Sequence, residues 1–451
     1  MRASFTSTTQ IILSFLITTA SAQKEVPSVD NFRRRGFGAA AVLGDFVYLE
    51  GGEVAQWVDG DADERRSREM NRTLSISLKE SWTNKSVDFN TIDRDDKPAI
   101  KDNVLWVDTK GDRLYNWDGD GPWGIPDSGQ DPQLWSFEPD GSGGGRWVIL
   151  KKNPLATFID KGSWTTVEPK NPSVYHSLTK PSLGAGAVCG RKAFLVGGMA
   201  DHVTDDSVDS KDPIPIPGMV VLDMDSKEWS NQSLASMAPP YGSFISGKAT
   251  CVTGFKQNGF VLTVGGKTTS PSYTDKGEAV SMSNLTFYDV DNDRWLWQET
   301  TGSTPAGRWD HCAVGVESPD GTFEMWVISW FWLCVPSYSL TKYRFIYGGR
   351  NNVKAALSDV WVLTIPGFHW TKVNVQSPER LAHACVVVGS GKRQMLSSGG
   401  VSDETSWRST DEWDNGLGIL DLTELEWRSS FSEDEMEYES PEAVKEWYNK
   451  G

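Results

Sequence analysis

The stretch that decides the fold is "GAGAVCGRKAFLVGG" (Gly184–Gly198), followed after a long polar loop by "GMVVLDMDSKEW" (Gly218–Trp229). A strand of small residues, a short turn and an apolar strand ending in Gly-Gly precede a third strand with an aspartate and a trailing Trp. Small side chains suit a crowded inner strand, and two consecutive glycines permit a positive-φ turn that β-branched residues could not make. The trailing Trp can bury a large area across the gap to a neighbouring sheet. The pattern predicts one four-stranded antiparallel unit.

The same unit recurs along the chain, so that six copies lie between Arg33 and Phe431. The other five begin with "RGFGAAAVLGDFVYLEGG" (35–52), "DNVLWVDTKGDRLYNWDGDG" (102–121), "GKATCVTGFKQNGFVLTVGG" (247–266), "GRWDHCAVGVESPDGTFEM" (307–325) and "RLAHACVVVGSGKRQMLSSGG" (380–400). The second copy lacks the diglycine, and the turn glycines of the others are Gly51, Gly52, Gly197, Gly198, Gly265, Gly266, Gly348, Gly349, Gly399 and Gly400. Such repetition predicts an all-β fold, a six-bladed β-propeller with four antiparallel strands per blade.

These repeats resemble the kelch-repeat family over residues 33–431, and most closely its secreted or membrane-anchored fungal members. The resemblance implies a kelch-type propeller. Fungal relatives of this kind often continue into a transmembrane helix, whereas this chain ends after an acidic C-terminal tail, residues 432–451, whose charge run "SEDEMEYE" is expected to be solvated. Galactose oxidase has a similar propeller with Tyr, Cys and His copper ligands. No matching arrangement is found in this sequence, so the resemblance implies neither a copper site nor another cofactor.

The N-terminus predicts secretion. Arg2 precedes the apolar run "IILSFLITT" and the small-residue cleavage sequence "ASAQ", so that residues 1–22 form a signal peptide. The chain is expected to lie outside the cell, secreted or at the outer face of the plasma membrane or cell wall. Four N-x-S/T sequons are candidate glycosylation sites: Asn71, Asn84, Asn231 and Asn284. The net charge of −17 argues against a broad phosphate-binding surface, and therefore against a nucleic-acid partner.

Cysteine and histidine patterns predict no metal site. The five cysteines are odd in number, widely spaced and without a C-x-x-C: Cys189, Cys251, Cys312, Cys334 and Cys385. They are expected to be small buried hydrophobes, forming neither a zinc site nor a disulfide framework. His311 and His383 occupy matching positions in "RWDHCA" and "RLAHAC", which predicts a structural role in the repeat.

The fifth copy contains an unusual apolar insertion. Removing Trp326 to Arg344 joins "SPDGTFEM" to "FIYGGR" and restores the length and pattern of the other copies. Because the run "WVISWFWLCV" is short and is followed by Pro336, it does not predict a membrane span. We expect residues 326–344 to be foreign to the fold, as in translation of a retained intron, and to interrupt the second strand.

Alternating strand direction places the long second-to-third loops on one face, which we call the long-loop face. These loops are acidic and contain Trp, and the candidate ligand-binding residues are Trp57, Asp59, Asp61, Arg65, Asp118, Asp120, Trp123, Asp205, Arg350, Trp407 and Trp413. Either they form a pocket that stacks a sugar or peptide on Trp, or the loops are solvated and their Trp side chains pack back on the blades.

The sequence thus predicts a non-catalytic binding module that engages a protein or glycan through the long-loop face. One alternative is an extracellular carbohydrate-active enzyme or oxidase that uses the same face. Another is the ectodomain of a single-pass receptor whose anchor is missing from this chain, which is the only case in which a membrane would be a partner.

Overall fold

The computed structural model describes residues 30–57, 67–94, 97–123, 134–150, 169–237, 241–253, 258–270, 277–317, 323–328, 347–351 and 356–450. The predicted signal peptide, residues 1–22, lies outside these ranges. No helix in the described part of the chain is long and apolar enough to cross a membrane.

The described residues form six antiparallel sheets whose four strands pair in chain order; we number these sheets I to VI. Sheet I contains Ala39–Leu43, Phe46–Glu50, Arg72–Ser77 and Asn90–Asp93; sheet II contains Trp106–Asp108, Arg113–Asn116, Leu134–Pro139 and Gly145–Leu150; sheet III contains Ala185–Cys189, Lys192–Val196, Met219–Asp223 and Trp229–Gln232. Sheet IV contains Lys248–Val252, Phe260–Val264, Asn284–Asp289 and Arg294–Glu299; sheet V contains Ala313–Glu317, Phe323–Ile328, Val360–Ile365 and His369–Val373; sheet VI contains Ala384–Val388, Gln394–Ser398, Leu417–Asp421 and Glu426–Arg428. The predicted all-β fold of four-stranded antiparallel units is confirmed, and it is consistent with a β-propeller.

Shorter elements flank these sheets. Thr301–Gly302 adds a parallel strand to the outer edge of sheet V. The small pairings of the long-loop face join Phe32–Gly36 to Glu53–Gln56 and Ser67–Glu69, Met199–Ala200 to Ile214–Pro215, Lys267–Thr268 to Glu278–Ala279, and Trp309–His311 to Tyr347–Arg350 and Ala356–Ser358. Two α-helices, Pro172–Tyr175 and Glu442–Lys450, and two 3₁₀ helices, Glu404–Arg408 and Asp414–Gly416, complete the assignment of the described residues.

The core lies between neighbouring sheets. Phe194 and Val221 of sheet III, for example, pack with Val261 and Tyr288 of sheet IV in one buried cluster. In each unit the trailing Trp contacts the preceding unit or the residues directly after that preceding unit. This confirms its predicted role in filling the gap between neighbouring sheets. The contacts are Trp82–Phe431, Trp147–Thr73, Trp229–Trp117, Trp295–Ser233, Trp370–Met282 and Trp427–Ser377.

Just before the first strand of each sheet lies a non-glycine residue with left-handed backbone, φ between 53° and 62°. We call these six residues the axial ring: Phe37, Asp102, Leu183, Ser246, Asp310 and Ala382. The backbone N–H of each donates to the carbonyl oxygen of its counterpart in the preceding sheet, and Phe37 donates to Ala382, with N···O distances of 2.7–3.1 Å. The first strands contact each other in the same cyclic order, including sheet VI against sheet I. Left-handed backbone is unfavourable for these residue types, so the ring contacts must hold it in place.

The turn glycines make a second set of links between sheets. Their predicted positive φ is confirmed for both glycines of four copies and for Gly349 of the fifth. One glycine per unit donates its N–H to a carbonyl at the entrance to the next sheet: Gly52 to Ile100, Gly119 to Pro181, Gly198 to Phe244, Gly266 to Arg308, Gly349 to Arg380 and Gly400 to Arg35. In the second copy, which lacks the diglycine, Gly119 thus makes the same link. A Cβ on Gly52 would lie 2.4 Å from the carbonyl oxygen of Gly36, so the close approach itself requires glycine.

The two ends of the repeat region meet between sheets VI and I. Ser430–Phe431 pairs with Trp82–Thr83, outside the four-stranded sheets. The Nδ2 group of Asn84 donates to the carbonyl oxygen of Leu417, and Asn415 donates in return to the backbone of Asn84. Each sheet therefore keeps its own four consecutive strands.

Two disulfides correct the cysteine prediction. Cys189 is bonded to Cys251 and Cys312 to Cys385, so these four cysteines are not free buried hydrophobes. Each pair joins the inner edges of adjacent sheets, III to IV and V to VI, where successive first strands run side by side. The wide spacing in the sequence, 62 and 73 residues, is the length of one repeat. Cys334 lies outside the described residues.

The first residues of the apolar insertion continue the second strand of sheet V and do not interrupt it as predicted. Residues 326–328, its first three, continue the strand Phe323–Ile328, which pairs with Ala313–Glu317 and Val360–Ile365. Tyr347–Arg350 pairs instead with Trp309–His311 and Ala356–Ser358 in a separate small sheet. The expected interruption within the second strand is therefore wrong, because residues 326–328 occupy the positions expected for residues 345–347. Residues 329–346 lie outside the described part of the chain, and their foreign origin stays a prediction.

The C-terminal segment packs against the sheets, although most charged residues of its "SEDEMEYE" run, Glu433, Asp434, Glu437 and Glu439, are exposed as expected. Tyr438 and Val444 are buried in the core between sheets V and VI. Glu435 forms an ion pair with Arg428, with oxygen and nitrogen 2.7 Å apart. In the helix Glu442–Lys450, Trp447 stacks on His369 with ring centroids 4.3 Å apart. Apolar residues interspersed among the acidic ones anchor this segment.

Candidate functional site

The axial ring surrounds a cavity of about 60 Å³ at the mouth of the channel between the first strands. Its lining includes the ring residues and the polar side chains of Asn103, Lys248 and His383. The start of each first strand pairs with the end of the second, so this mouth opens on the long-loop face. Every sheet contributes backbone to the lining, and the cavity is therefore the point at which all six units converge.

Charged residues concentrate at this mouth. Lys101 Nζ lies 3.6 Å from Asp102 Oδ2, and Arg350 Nε lies 2.7 Å from Asp310 Oδ2. Burial raises the pKa of Asp102 to about 7; Lys101 opposes this rise, and the carboxylates of Asp310 and Asp120 add to it. Burial lowers the pKa of Lys248, although the carboxylates of Asp310, Asp102 and Asp118 oppose that effect. The site thus combines carboxylates and a partly buried amine in a small polar space.

The two repeat histidines are buried, and their structural role stays a prediction. His311 is fully buried, and a Cβ added to Gly265 would lie 2.3 Å from its Cε1 atom. Burial first, and then nearby cations, hold the pKa of both His311 and His383 well below its usual range, so both imidazoles are neutral. The donor atoms of Cys312, His383 and Cys385 lie close together, but the two sulfurs are bonded to each other and offer no thiolate to a metal.

Three of the predicted ligand-binding residues are buried supports of the fold, and a fourth, Trp413, is partly buried. Asp118 accepts the N–H of Val104 at 2.8 Å, and Asp205, which has no exposed surface, accepts the N–H of Lys180 at 2.6 Å. Trp407 is buried. Trp413 lies beneath the guanidinium of Arg380, whose Cζ is 4.0 Å from the ring centroid. For these two Trp residues the observed arrangement is packing back on the sheets, because their loops fold inward.

The other described candidates lie at the surface or the channel mouth. Trp57 and Trp123 are 55% and 49% exposed, and the Arg33 guanidinium stacks 3.9 Å above the Trp57 ring. The backbone N–H of Trp123 donates to Glu53, at the start of the strand that precedes Trp57. Asp120 lies 3.7 Å from Lys101, and Arg350 pairs with Asp310. The remaining candidates, Asp59, Asp61 and Arg65, lie outside the described residues.

The sequons divide into two groups. Asn71, Asn231 and Asn284 are exposed. Asn84 is 5% exposed, and its Nδ2, the atom that would carry a glycan, donates to the carbonyl oxygen of Leu417 at 3.0 Å. A glycan on Asn84 would therefore disrupt the contact between sheets I and VI.

Sequence reasoning missed the residues that line the channel mouth. Lys248 begins the first strand of sheet IV, and Asp102 and Asp310 lie shortly before the first strands of sheets II and V, so none of the three belongs to the long loops. The one available signal was position within the repeat, because Asp102 and Asp310 are axial-ring residues and Lys248 lies two residues after the axial-ring residue Ser246.

The chain resembles a known protein over most of its length. No family model matches the chain. The chain is similar to a kelch repeat-containing protein. This protein, from Arthroderma benhamiae, is 23% identical over 418 residues, which cover 87% of this chain. The chain spans 56% of the length of that curated relative. The likeness extends over most of the chain and supports the kelch character of its repeats.

Proposed function

We propose that the chain is a six-bladed kelch-type β-propeller that acts as a non-catalytic binding module, engaging a protein partner through the long-loop face. The observation that carries this proposal is the closed series of hydrogen bonds in the axial ring, which returns from Ala382 to Phe37. A closed ring of sheets is a rigid platform, and binding residues are usually placed on loops that such a platform positions. Kelch-type likeness favours protein binding over catalysis, since the matched relative is described only by its repeats.

The chemistry of the face supports recognition of a protein or a glycan. Trp57 and Trp123 expose large rings, and such side chains dominate binding energies at interfaces. Both Trp residues flank the strand Glu53–Gln56, so they belong to one sector of the face. A glycan would use the same rings for stacking, with nearby carboxylates as hydrogen-bond acceptors.

The proposed location is outside the cell. Two disulfides between adjacent sheets favour an oxidising compartment. Three exposed sequons and the apolar N-terminal run support the same location.

The test is affinity capture with the full chain, secreted from a eukaryotic host, followed by measurement of the affinity of the captured partner. Replacing both Trp57 and Trp123 by Ala should weaken binding at least about ten-fold, because exposed Trp anchors each contribute 1 kcal/mol or more. Trp297→Ala is the matched control, since this Trp is 65% exposed on the outer strand of sheet IV.

Two results would contradict the proposal. If Trp297→Ala abolished binding while the double variant retained it, the partner would use the outer edge of a sheet. If the protein turned over a member of a glycan panel, and one carboxylate substitution stopped the turnover, the module would be an enzyme.

A further inference from the structure

We call the cavity surrounded by the axial ring the axial cavity. Lys248 differs from the other charged residues at this cavity because it has no ion-pair partner among the described residues. Asp102 has Lys101 as an ion-pair partner, and Asp310 has Arg350. No carboxylate of the described residues lies within 4.0 Å of the Lys248 ammonium, although its backbone is in the first strand of sheet IV and the residue is partly buried. A partly buried cation without a counter-charge at ion-pair distance is unfavourable, and an anion in the cavity would supply one.

Asn103 provides a second, independent sign of a missing partner. It lines the same cavity, is 9% exposed, and neither its amide nitrogen nor its amide oxygen has a hydrogen-bond partner in the described part of the chain. Buried amides in native proteins are almost always hydrogen bonded, to protein or to a bound molecule. The cavity is thus lined by a cation without an ion pair within 4.0 Å and by an amide without a hydrogen-bond partner among the described residues.

We propose that the axial cavity binds a carboxylate group, with the Lys248 ammonium as its counter-charge and the Asn103 amide as a hydrogen-bond donor. The volume of about 60 Å³ suits a group of a few heavy atoms, comparable to about four waters. Asp102 and Asp310 border the cavity and would repel a phosphate dianion more strongly than a carboxylate monoanion. Charge and size together select the smaller, singly charged group.

This carboxylate has two potential sources. A free small acid could enter from solvent, and that case is independent of any partner. An Asp or Glu side chain of a protein docked on the long-loop face could also reach the mouth, and this second case rests on the proposed function.

The direct test is calorimetric titration of the full chain with sodium acetate and, at matched ionic strength, with sodium chloride. We expect saturable acetate binding that weakens at least ten-fold in Lys248→Gln and stays within about three-fold in Lys248→Arg. Lys192→Gln is the control, because Lys192 begins the second strand of sheet III, at the opposite end of the sheet. Unchanged acetate affinity in Lys248→Gln would overturn the proposal, as would chloride binding equal to that of acetate.

A second measurement keeps the test valid if Lys248→Gln does not fold. On the wild-type chain, the NMR line of ¹³C-formate should broaden, and excess unlabelled acetate should reverse the broadening while chloride should not. An unbroadened line would overturn the proposal.

A peptide pair distinguishes the two sources. If a docked side chain is the natural occupant, acetyl-Gly-Asp-Gly-amide should bind and compete with acetate, whereas the Asn counterpart should not. If only acetate binds, the carboxylate site stands with a free acid as its occupant. Absence of any protein partner in affinity capture would leave the acetate result unchanged.

Discussion

Replacing Gly198 by Ala tests whether the turn glycines hold neighbouring sheets together. Gly198 has a φ of 108°, and its N–H donates to the carbonyl oxygen of Phe244 at 2.8 Å. A Cβ on Gly198 would lie 2.6 Å from the carbonyl oxygen of Ser182 and 2.8 Å from the Cβ of Pro181. The alanine must therefore adopt an unfavourable backbone conformation and also displace Pro181 and Ser182, which lead into the first strand of sheet III.

The expected loss follows from three contributions. A left-handed alanine costs about 1 kcal/mol, a weakened hydrogen bond about 1 kcal/mol, and backbone displacement in a packed region about 1–3 kcal/mol. We expect Gly198→Ala to lower the free energy of unfolding by about 3–5 kcal/mol. Gly44→Ala is the matched control, because Gly44 also has positive φ, 58°, but has no atom within 4 Å of the added Cβ. It should cost about 1 kcal/mol or less, partly offset by the lower entropy of the unfolded alanine chain.

The assay is equilibrium unfolding in guanidinium chloride, followed by Trp fluorescence and by far-UV circular dichroism, with both variants compared to the unmodified chain. The two transitions should coincide, so that midpoints convert to free energies. If Gly198→Ala and Gly44→Ala differed by less than about 1 kcal/mol, the crowding of the added Cβ by Pro181 and Ser182 would not be what requires glycine.

Three further outcomes follow from contacts described above. Replacing Cys189 and Cys251 by Ala should lower the free energy of unfolding by about 4 kcal/mol, as expected for a 62-residue loop, and an unchanged denaturation midpoint would contradict this. Peptide mapping of the secreted protein should find a glycan on Asn284 and none on Asn84; an occupied Asn84 in folded protein would show that the observed contact between sheets I and VI does not form. Asp102→Asn should stabilise the protein at pH 8 by up to about 4 kcal/mol and have little effect at pH 4. The folded pKa of Asp102, about 7, exceeds the unfolded value, so its contribution to stability falls as the pH rises from about 4 to about 7; parallel pH profiles of the free energy of unfolding would refute this.

The repeat pattern was sufficient to predict the sheets. The diglycine indicates a positive-φ turn, the small-residue strand indicates a crowded inner position, and the trailing Trp indicates a gap between sheets that a large ring fills. Each of these features can be recognised from one or a few residues. Trp229 could be assigned to the gap between sheets because a large ring at the end of a strand has few other places to be buried.

The cysteine pairing could not be derived by counting intervals along the chain. Cys312 follows His311 by one residue, whereas Cys385 follows His383 by two. Neighbouring first strands are staggered, so bonded cysteines occupy adjacent rather than identical repeat positions. Comparing positions within the repeat, and not absolute spacing, would have suggested the pairs.

The candidate site was predicted only in part because loop length indicates a face and not the direction of a side chain. Trp407 belongs to a long loop, yet it is buried against Ala55, Leu381 and Val401. The axial ring carried no compositional signal at all. Phe37, Asp102 and Ala382 share a backbone conformation that none of them favours, because contacts between sheets impose it.

The contacts between neighbouring sheets differ in kind, and this difference has a mechanical consequence. Covalent bonds tie sheet III to IV and sheet V to VI, while the junction between VI and I depends on the short pairing of Ser430–Phe431 with Trp82–Thr83 and on side-chain contacts. Because no sheet borrows a strand from the far end of the chain, opening at this junction leaves every sheet whole. Under heat or pulling force, we therefore expect the sheets to separate first at the junction between sheets VI and I. Circular permutation that moves the chain ends to another connection between sheets should still allow sheets VI and I to pack together.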